Sequence, residues 1–230
     1  MKKRIWLITG CSSGLGKAIA DAVLESEDFV IGTFRKQTQV DAFNAQNNDK
    51  GLAVKLDITN TLEIEKTIKY IESEFGHIDV LVNNAGFGFI GAIEETSIDE
   101  VRSVFEANFF GTLQLTQAVL PLMRKARHGQ IIQISSHGGL KAFAGFGIYN
   151  ASKFALEGFS ESLEQEVAPL GIKVLIVQPG PFRTQFANKG LGEAKIRIKD
   201  YDTTAGMFRE KLKSVMENKK EIPLKQQKLF

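Results

Sequence analysis

Thr9-Gly10-Cys11-Ser12-Ser13-Gly14-Leu15-Gly16 is the stretch that decides the fold of this chain. The apolar run before it, Ile5–Thr9, predicts a β-strand, and apolar residues from Leu15 onward recur at helical spacing. Glycine allows positive φ and lets the backbone approach a ligand closely. A helix N-terminus offers unpaired N–H groups to a phosphate. We therefore predict a phosphate-binding strand–loop–helix unit, with an ordinary tight turn as the alternative.

Strand and helix patterns alternate along the rest of the chain. Apolar runs predict further strands at Phe29–Phe34, Leu52–Leu56, Val80–Val82, Gln130–Ser135 and Ile172–Val177. Helical spacing and capping signals predict helices at Thr61–Phe75, Ser97–Arg124, Tyr149–Leu170 and Thr204–Met216. Strands that are apolar throughout and separated by helices are typical of a parallel sheet covered on both faces. We predict a single doubly wound α/β domain of Rossmann type, with a parallel sheet of six or seven strands and helices on both faces.

The composition argues against several classes of protein. The 230 residues include 29 Lys and Arg against 27 Asp and Glu, a balance that favours neither nucleic-acid nor membrane binding. No apolar segment approaches the roughly 20 residues of a membrane helix. Cys11 is the one cysteine, which excludes an intrachain disulfide and fits a cytoplasmic location. The sequence shows no metal-ligand spacing, so we expect no metal site.

Several further motifs follow the glycine loop in order along the chain. They are Asp57, Asn83-Asn84-Ala85-Gly86, Asn108, Ser136, Tyr149-x-x-x-Lys153 and Pro179-Gly180-x-x-x-Thr184. Together with T-G-x-x-x-G-x-G, this series resembles the short-chain dehydrogenase/reductase family from residue 5 to about 186. The resemblance implies an oxidoreductase that uses NAD(P)(H) and acts on a small carbonyl or alcohol substrate.

The end of the second strand bears on which nicotinamide cofactor is used. No Asp or Glu lies between Phe29 and Lys36 to bind the adenosine ribose of NAD, and Phe34 occupies the expected position. Arg35 suits the 2′-phosphate of NADP, unless it is only a solvated strand end. We predict NADP(H), with NAD(H) as the second candidate.

The resemblance extends the cofactor site beyond the glycine loop. It implies that Asp57 bonds the adenine, although the position also suits a helix N-cap, and that Thr184 binds the nicotinamide carboxamide. The full predicted cofactor set is Gly10, Ser12, Ser13, Gly14, Leu15, Gly16, Arg35, Asp57, Ile58, Asn84, Ala85, Gly86, Tyr149, Lys153, Pro179, Gly180 and Thr184.

Tyr149 and Lys153 form the predicted acid–base centre. Four-residue spacing on a helix places them on one face, and a nearby ammonium favours the phenolate of a tyrosine whose free pKa is near 10. Alone, such a pair would more often be a surface Tyr and Lys. The resemblance adds Ser136, chosen over Ser135 by its interval from Tyr149, to orient the substrate carbonyl. It also gives Asn108 a water that relays protons from Lys153, although an Asn within a helix can simply mark a kink.

Aromatic residues near the strand ends predict an apolar substrate pocket. The predicted pocket consists of Phe87, Phe89, Phe143, Phe146, Phe182 and Phe186, some of which can belong to the core instead. We expect hydride transfer between NADP(H) and a carbonyl or secondary alcohol. The alternatives are an epimerase or dehydratase on the same fold and a non-catalytic NADP-binding regulator.

The C-terminal region departs from the family pattern. We predict a cofactor-binding and catalytic core at 1–186 and a substrate lid at 187–230, and the family's usual final strand has no counterpart in 218–230. We therefore expect a truncated or diverged C-terminal region. The resemblance also implies a homodimer or homotetramer, packed through the helices at Ser97–Arg124 and Tyr149–Leu170.

The cofactor prediction is tested by direct titration. Because Arg35 can pair with a 2′-phosphate and no acid is available for a free ribose, NADPH is expected to bind more tightly than NADH. Fluorescence titration of both cofactors at equal salt measures the two dissociation constants, and tighter binding of NADH would contradict the prediction.

Overall fold

The computed structural model describes residues 3–47, 49–180 and 190–217. The strands in chain order are β1 (Ile5–Ile8), β2 (Phe29–Phe34), β3 (Gly51–Lys55), β4 (Val80–Asn83), β5 (Gly88–Ile90), β6 (Gly129–Ile134), β7 (Ile172–Val177) and β8 (Leu191–Glu193). The α-helices are α1 (Gly14–Glu25), α2 (Gln37–Asn47), α3 (Thr61–Phe75), α4 (Ile98–Phe105), α5 (Gly111–Ala126), α6 (Gly147–Val167) and α7 (Met207–Glu217).

Six of these strands form one parallel sheet in the order β3-β2-β1-β4-β6-β7. Its register places Leu7 opposite Ile31 of β2 and Leu81 of β4, and Leu81 opposite Ile131 of β6. Matched apolar residues thus line up across the sheet on the same face. The predicted doubly wound α/β fold, with six strands in the main sheet, is confirmed.

Helices cover both faces of the sheet, and each face has its own apolar core. On one face, Leu81 and Ile131 pack with Ile68 of α3, Val119 of α5 and Leu163 of α6. On the other face, the strands pack against α1 and α2, with Ala20, Val23 and Val40 among the buried residues. Burial on both faces explains why the strands read as continuous apolar runs.

The helices differ from the prediction in two places. α2 was not predicted, because Val40 is its one fully buried residue and its sequence therefore has almost no apolar stripe. The helix predicted at Ser97–Arg124 begins with the expected capping box between Ser97 and Glu100, but a π-helical turn at 106–110 divides it into α4 and α5. The inserted turn contains Asn108, whose side chain bonds a neighbouring loop.

A second, two-stranded parallel sheet joins β5 to β8. Neither strand was predicted, since each has only three residues and no clear alternation. The predicted helix at Thr204–Met216 is present as a π-helical turn at 202–206 followed by α7. Residues 218–230, where we expected no final strand, lie outside the described residues.

A buried ion pair joins this C-terminal segment to the loop after β5. Arg209 Nη2 of α7 lies 2.8 Å from Glu95 Oε2, and both residues are at most 5% exposed. Glu95 also accepts hydrogen bonds from the backbone N–H groups of Ala92 and Ile198, at 2.9 and 3.0 Å. One carboxylate therefore ties together three segments of the chain.

Loss of this ion pair is expected to destabilise the protein. Arg209→Ala leaves the Glu95 carboxylate buried without its countercharge, which costs about 3–5 kcal/mol. Arg102→Ala is the control, because Arg102 is 73% exposed in its pair with Asp99 and should contribute at most about 1 kcal/mol. Urea unfolding measures both free energies of unfolding, and equal losses in the two variants would refute the role of the buried pair.

Candidate active site

The glycine loop joins β1 to α1 and is held against β2. Gly10 and Gly14 have φ of 72° and 61°, which an L side chain rarely adopts. The Gly10 N–H donates to Thr33 Oγ1 and the Cys11 N–H to Thr33 O, at 3.2 and 3.1 Å. At the start of α1, the side chain of Ser13 makes no capping hydrogen bond. Ser13 therefore does not cap the first-turn N–H groups of α1. An anion site at a helix N-terminus requires N–H groups that no side chain caps.

Asn84 packs directly beneath this loop. Its Nδ2 donates to Thr9 O at 2.8 Å, and its backbone N–H donates to Thr9 Oγ1 at 2.8 Å. A Cβ on Gly16 would overlap Asn84 Nδ2 and lie 2.5 Å from Gly10 O. Glycine at position 16 is thus required by close packing between the loop and the segment after β4. Asn83, by contrast, donates from its Nδ2 to Thr116 Oγ1 of α5.

The residues predicted for the adenosine end lie at the ends of β2 and β3. Arg35 is exposed directly after β2, whereas Phe34 is buried. Asp57 Oδ1 accepts hydrogen bonds from the N–H and hydroxyl of Thr59 in a turn after β3. The N-cap of α3 is Asn60, so the alternative role of Asp57 as the helix cap is wrong.

Tyr149, Ser136 and Lys153 are brought together by the first turns of α6 and the end of β6. The hydroxyl groups of Tyr149 and Ser136 are hydrogen-bonded to each other. Lys153 Nζ donates to Ile134 O at 2.8 Å and lies 5.9 Å from the centre of the Tyr149 ring. Tyr149 and Lys153 are 5% and 6% exposed. The structure therefore brings together, in a buried position, three residues that the sequence spacing selected.

Burial sets the ionisation of this group. It raises the pKa of Tyr149, and the hydrogen bond with Ser136 opposes this in part. Burial also lowers the pKa of Lys153 to about 8, while the Glu157 carboxylate raises it. The sequence predicted that a nearby ammonium would favour the phenolate, but burial has the larger effect on Tyr149 and raises its pKa.

Asn108 is the residue that the π-helical turn places at the site. Its Oδ1 accepts from the Phe87 N–H at 2.9 Å, and its Nδ2 donates to Phe87 O and to Ser152 Oγ at 2.9 and 3.1 Å. A Cβ on Gly86 would lie 2.8 Å from Asn108 Oδ1 and 4.0 Å from Lys153 Nζ. Asn108 therefore fixes the segment after β4 against α6, close to the lysine.

The predicted pocket aromatics divide into two groups. Phe143 and Phe146 line an aromatic wall: ring centres are 4.5 Å apart for Phe146 and Tyr149, and Phe208 of α7 lies 6.2 and 5.4 Å from Phe143 and Phe146. Phe89, by contrast, is 6% exposed in a small core cluster against which Phe87 packs. The remaining predicted residues Phe182, Thr184 and Phe186 lie outside the described residues.

Pro179 and Gly180 follow β7 at the same edge of the sheet. The Pro179 carbonyl accepts from the N–H of His137, directly after Ser136, at 2.9 Å. Sequence reasoning missed Phe208 and Glu157, since neither belongs to a motif. Residues 3–47, 49–180 and 190–217 contain no cluster of potential metal ligands and no helix long and apolar enough to cross a bilayer.

Comparison with known proteins agrees with this geometry. A family model described as short chain dehydrogenase matches residues 4–193. The chain is similar to 3-ketodihydrosphingosine reductase of Bacteroides thetaiotaomicron, with 45% identity over 202 residues, 87% of this chain and 72% of that protein. The chain belongs to the short-chain dehydrogenase family, and is an NAD(P)-dependent oxidoreductase.

Solved structures give the same result. A short-chain dehydrogenase from Streptomyces avermitilis superposes with a TM-score of 0.85 and 44% identity, covering 90% of this chain and 78% of that one. A gluconate 5-dehydrogenase from Burkholderia cenocepacia, in complex with NADP and tartrate, gives a TM-score of 0.77 at 25% identity, covering 81% of this chain and 74% of that one.

Close packing at Gly16 predicts a specific loss of cofactor affinity. Gly16→Ala would force the loop and Asn84 apart, so NADPH affinity should fall by about tenfold or more. The control is Gly158→Ala on α6, where an added Cβ meets no atom within 4 Å. Fluorescence titration with NADPH compares the two variants, and unchanged affinity in Gly16→Ala would contradict the packing argument.

Proposed function

We propose that this protein transfers a hydride between NADP(H) and the carbonyl or secondary alcohol carbon of a small apolar substrate. The observation that carries the proposal is the buried group in which the Tyr149 hydroxyl bonds Ser136 with the Lys153 ammonium beside the ring. Such a group can move a proton to or from an oxygen that lies against it.

The residues present fit a dinucleotide. Gly10 and Gly16 leave no room for a side chain against Asn84. The loop leads into the N-terminus of α1, where a pyrophosphate is favoured. Pro179 and Gly180 lie at the same sheet edge. We assign the cofactor to this edge, with Asp57 and Ile58 at the adenine, Asn84, Ala85 and Gly86 along the ribose, and Thr184 at the carboxamide.

The preference for NADP(H) rests on the exposed Arg35. Arg35 directly follows β2, and no Asp or Glu lies between Phe29 and Lys36. The planar guanidinium suits a 2′-phosphate. The NADP-bound gluconate dehydrogenase of the same fold is consistent with this choice. NAD(H) is the second candidate.

The chemistry follows from the protonation states of the side chains. When bound, NADPH supplies the hydride. Ser136 orients the substrate carbonyl by hydrogen bonding to its oxygen, and the Tyr149 hydroxyl donates the proton to that oxygen. Because burial raises the Tyr149 pKa, the tyrosine is protonated at neutral pH and ready for reduction. The Tyr149 hydroxyl then regains a proton by way of Lys153, which in turn is supplied by a water held at Asn108, and alcohol oxidation reverses these steps.

The substrate side is apolar. Phe143, Phe146 and Phe208 form a continuous aromatic wall that ends at the Tyr149 ring. A hydrocarbon chain or ring next to the reacting carbon would bury its surface there. Similarity to a 3-ketodihydrosphingosine reductase supports a ketone attached to an apolar group.

We also propose a homodimer or homotetramer and a cytoplasmic location. Phe110 of the π-helical turn is 43% exposed and Phe154 of α6 is 46% exposed, although both are large apolar side chains. Gly158 on α6 allows a second helix to approach closely. Light scattering after size-exclusion chromatography measures the assembly.

Tyr149→Phe tests the mechanism. Removal of the hydroxyl deletes the proton donor without changing the ring, so kcat should fall by about 10²–10⁴-fold while NADPH affinity is retained. The assay follows NADPH absorbance during reduction of a panel of apolar ketones, and product analysis shows whether one NADPH is consumed per product. The control is Tyr70→Phe on α3, where Tyr70 is 45% exposed. Normal turnover in Tyr149→Phe would refute the mechanism, and turnover without consumption of NADPH would indicate an epimerase or dehydratase.

A further inference from the structure

A polar layer lies above the apolar core on the α6 side of the sheet. Ile131 of β6 packs with Leu163 and Val167 of α6, and strand alternation places Gln133 and Ser135 on the same face as Ile131. Gln133 and Ser135 are 0% and 4% exposed. The end of β6 therefore presents polar side chains toward α6, where an apolar core would be expected.

Glu157 of α6 enters this layer one helical turn after Lys153. It is 7% exposed, and its Oε2 accepts a hydrogen bond from Gln178 Nε2 at 2.8 Å. Its Oε1 and Ser135 Oγ lie 2.9 and 2.7 Å from the point that a Cβ on Gly139 would occupy. The absence of a side chain at Gly139 thus makes room for Glu157 Oε1 and Ser135 Oγ.

Several atoms of this layer have no hydrogen-bonding partner among the described residues. They are both amide atoms of Gln133, Ser135 Oγ and Glu157 Oε1. Buried polar atoms are rarely left unpaired, and internal water commonly serves groups so placed. An apolar residue at 157 would avoid this cost, so the presence of a carboxylate calls for a reason other than packing.

The charged group that faces Glu157 is Lys153. Tyr149, whose ring centre lies 5.9 Å from Lys153 Nζ, and Glu157, whose charge acts on Lys153, are both titratable residues of α6. β6 contributes the carbonyl oxygen of Ile134, and the π-helical turn contributes the neutral side chain of Asn108 near Gly86. An ammonium at 6% exposure has lost nearly all of its hydration. Its charged form is disfavoured unless a negative charge lies nearby.

We propose that Glu157 is a positioning residue that acts through Lys153, keeping the buried ammonium charged beside Tyr149. This inference rests on the proposed function for its catalytic consequence, whereas the coupling between the two side chains rests on their four-residue spacing along α6 and their shared burial. Gln178 donates to one carboxylate oxygen of Glu157 and so helps to keep this side chain in the layer.

The direction of the effect follows from electrostatics. Burial lowers the Lys153 pKa to about 8, and Glu157 opposes this decrease. Without the carboxylate, the ammonium would lose its proton at a lower pH, and the positive charge beside the phenol would be lost with it. The alkaline limit of reduction should then move to lower pH.

The test is a titration of the lysine itself in the full chain. Lysine labelled with ¹³C at Cε is titrated by NMR in wild type, Glu157→Gln and Glu161→Gln, with Lys153→Met used to assign the signal. The Lys153 pKa should fall by about one pH unit in Glu157→Gln. It should stay unchanged in Glu161→Gln, which removes the same charge from an exposed position one turn further along α6.

The outcomes separate this inference from the proposed function. An unchanged Lys153 pKa in Glu157→Gln overturns the inference, whether or not the enzyme reduces ketones. A wild-type protein without NADPH-dependent reduction overturns the proposed function alone. In an active enzyme, the alkaline limb of the kcat profile should shift to lower pH in Glu157→Gln and remain in place in Glu161→Gln.

Glu157→Met serves as the second variant, because it keeps a similar volume without charge. If Glu157→Gln does not fold, Glu157→Met should still show the lowered Lys153 pKa. Circular dichroism checks both variants, and failure of both to fold in the presence of NADPH would assign Glu157 a purely structural role and overturn the inference.

Discussion

The site depends on one buried charge, the ammonium of Lys153 held against the carbonyl oxygen of Ile134. A lysine in a nearly dry position is costly, and the neighbouring structure is arranged to accommodate it. The sheet supplies a carbonyl at the end of β6, α6 supplies Tyr149 and Glu157 one turn to either side, and the π-helical turn brings Asn108 to Gly86 nearby. If the lysine were exposed, its charge would be screened by water and would have little influence on the phenol.

Features with local signals could be predicted from the sequence. Strands buried on both faces gave clear apolar runs, so the order of the main elements followed directly. The glycine loop and the pair Tyr149 and Lys153 are also local patterns, and the structure places the pair with Ser136 at one sheet edge.

The missed features depend on contacts between distant parts of the chain. Arg209 and Glu95 are separated by 114 residues, and neither stands out among the charged residues of its own helix or loop. Phe208 reaches the site through tertiary packing alone. The π-helical turn was missed because its residues fit an ordinary helical pattern, and the contact between Asn108 and Phe87 that accompanies it is a tertiary one.

The small β5–β8 sheet helps to attach a segment of the chain that lies outside the main sheet. The ends of the main sheet carry the glycine loop and the group of Tyr149, Ser136 and Lys153. The aromatic wall is completed by Phe208, which comes from a segment held by β8 and by Glu95. Substitution of Phe208 would therefore reshape this wall while Arg209 keeps the segment attached through Glu95. Under the proposed function, a chain built in this way can acquire new substrates through substitutions in one attached segment, while the residues around Tyr149 stay the same.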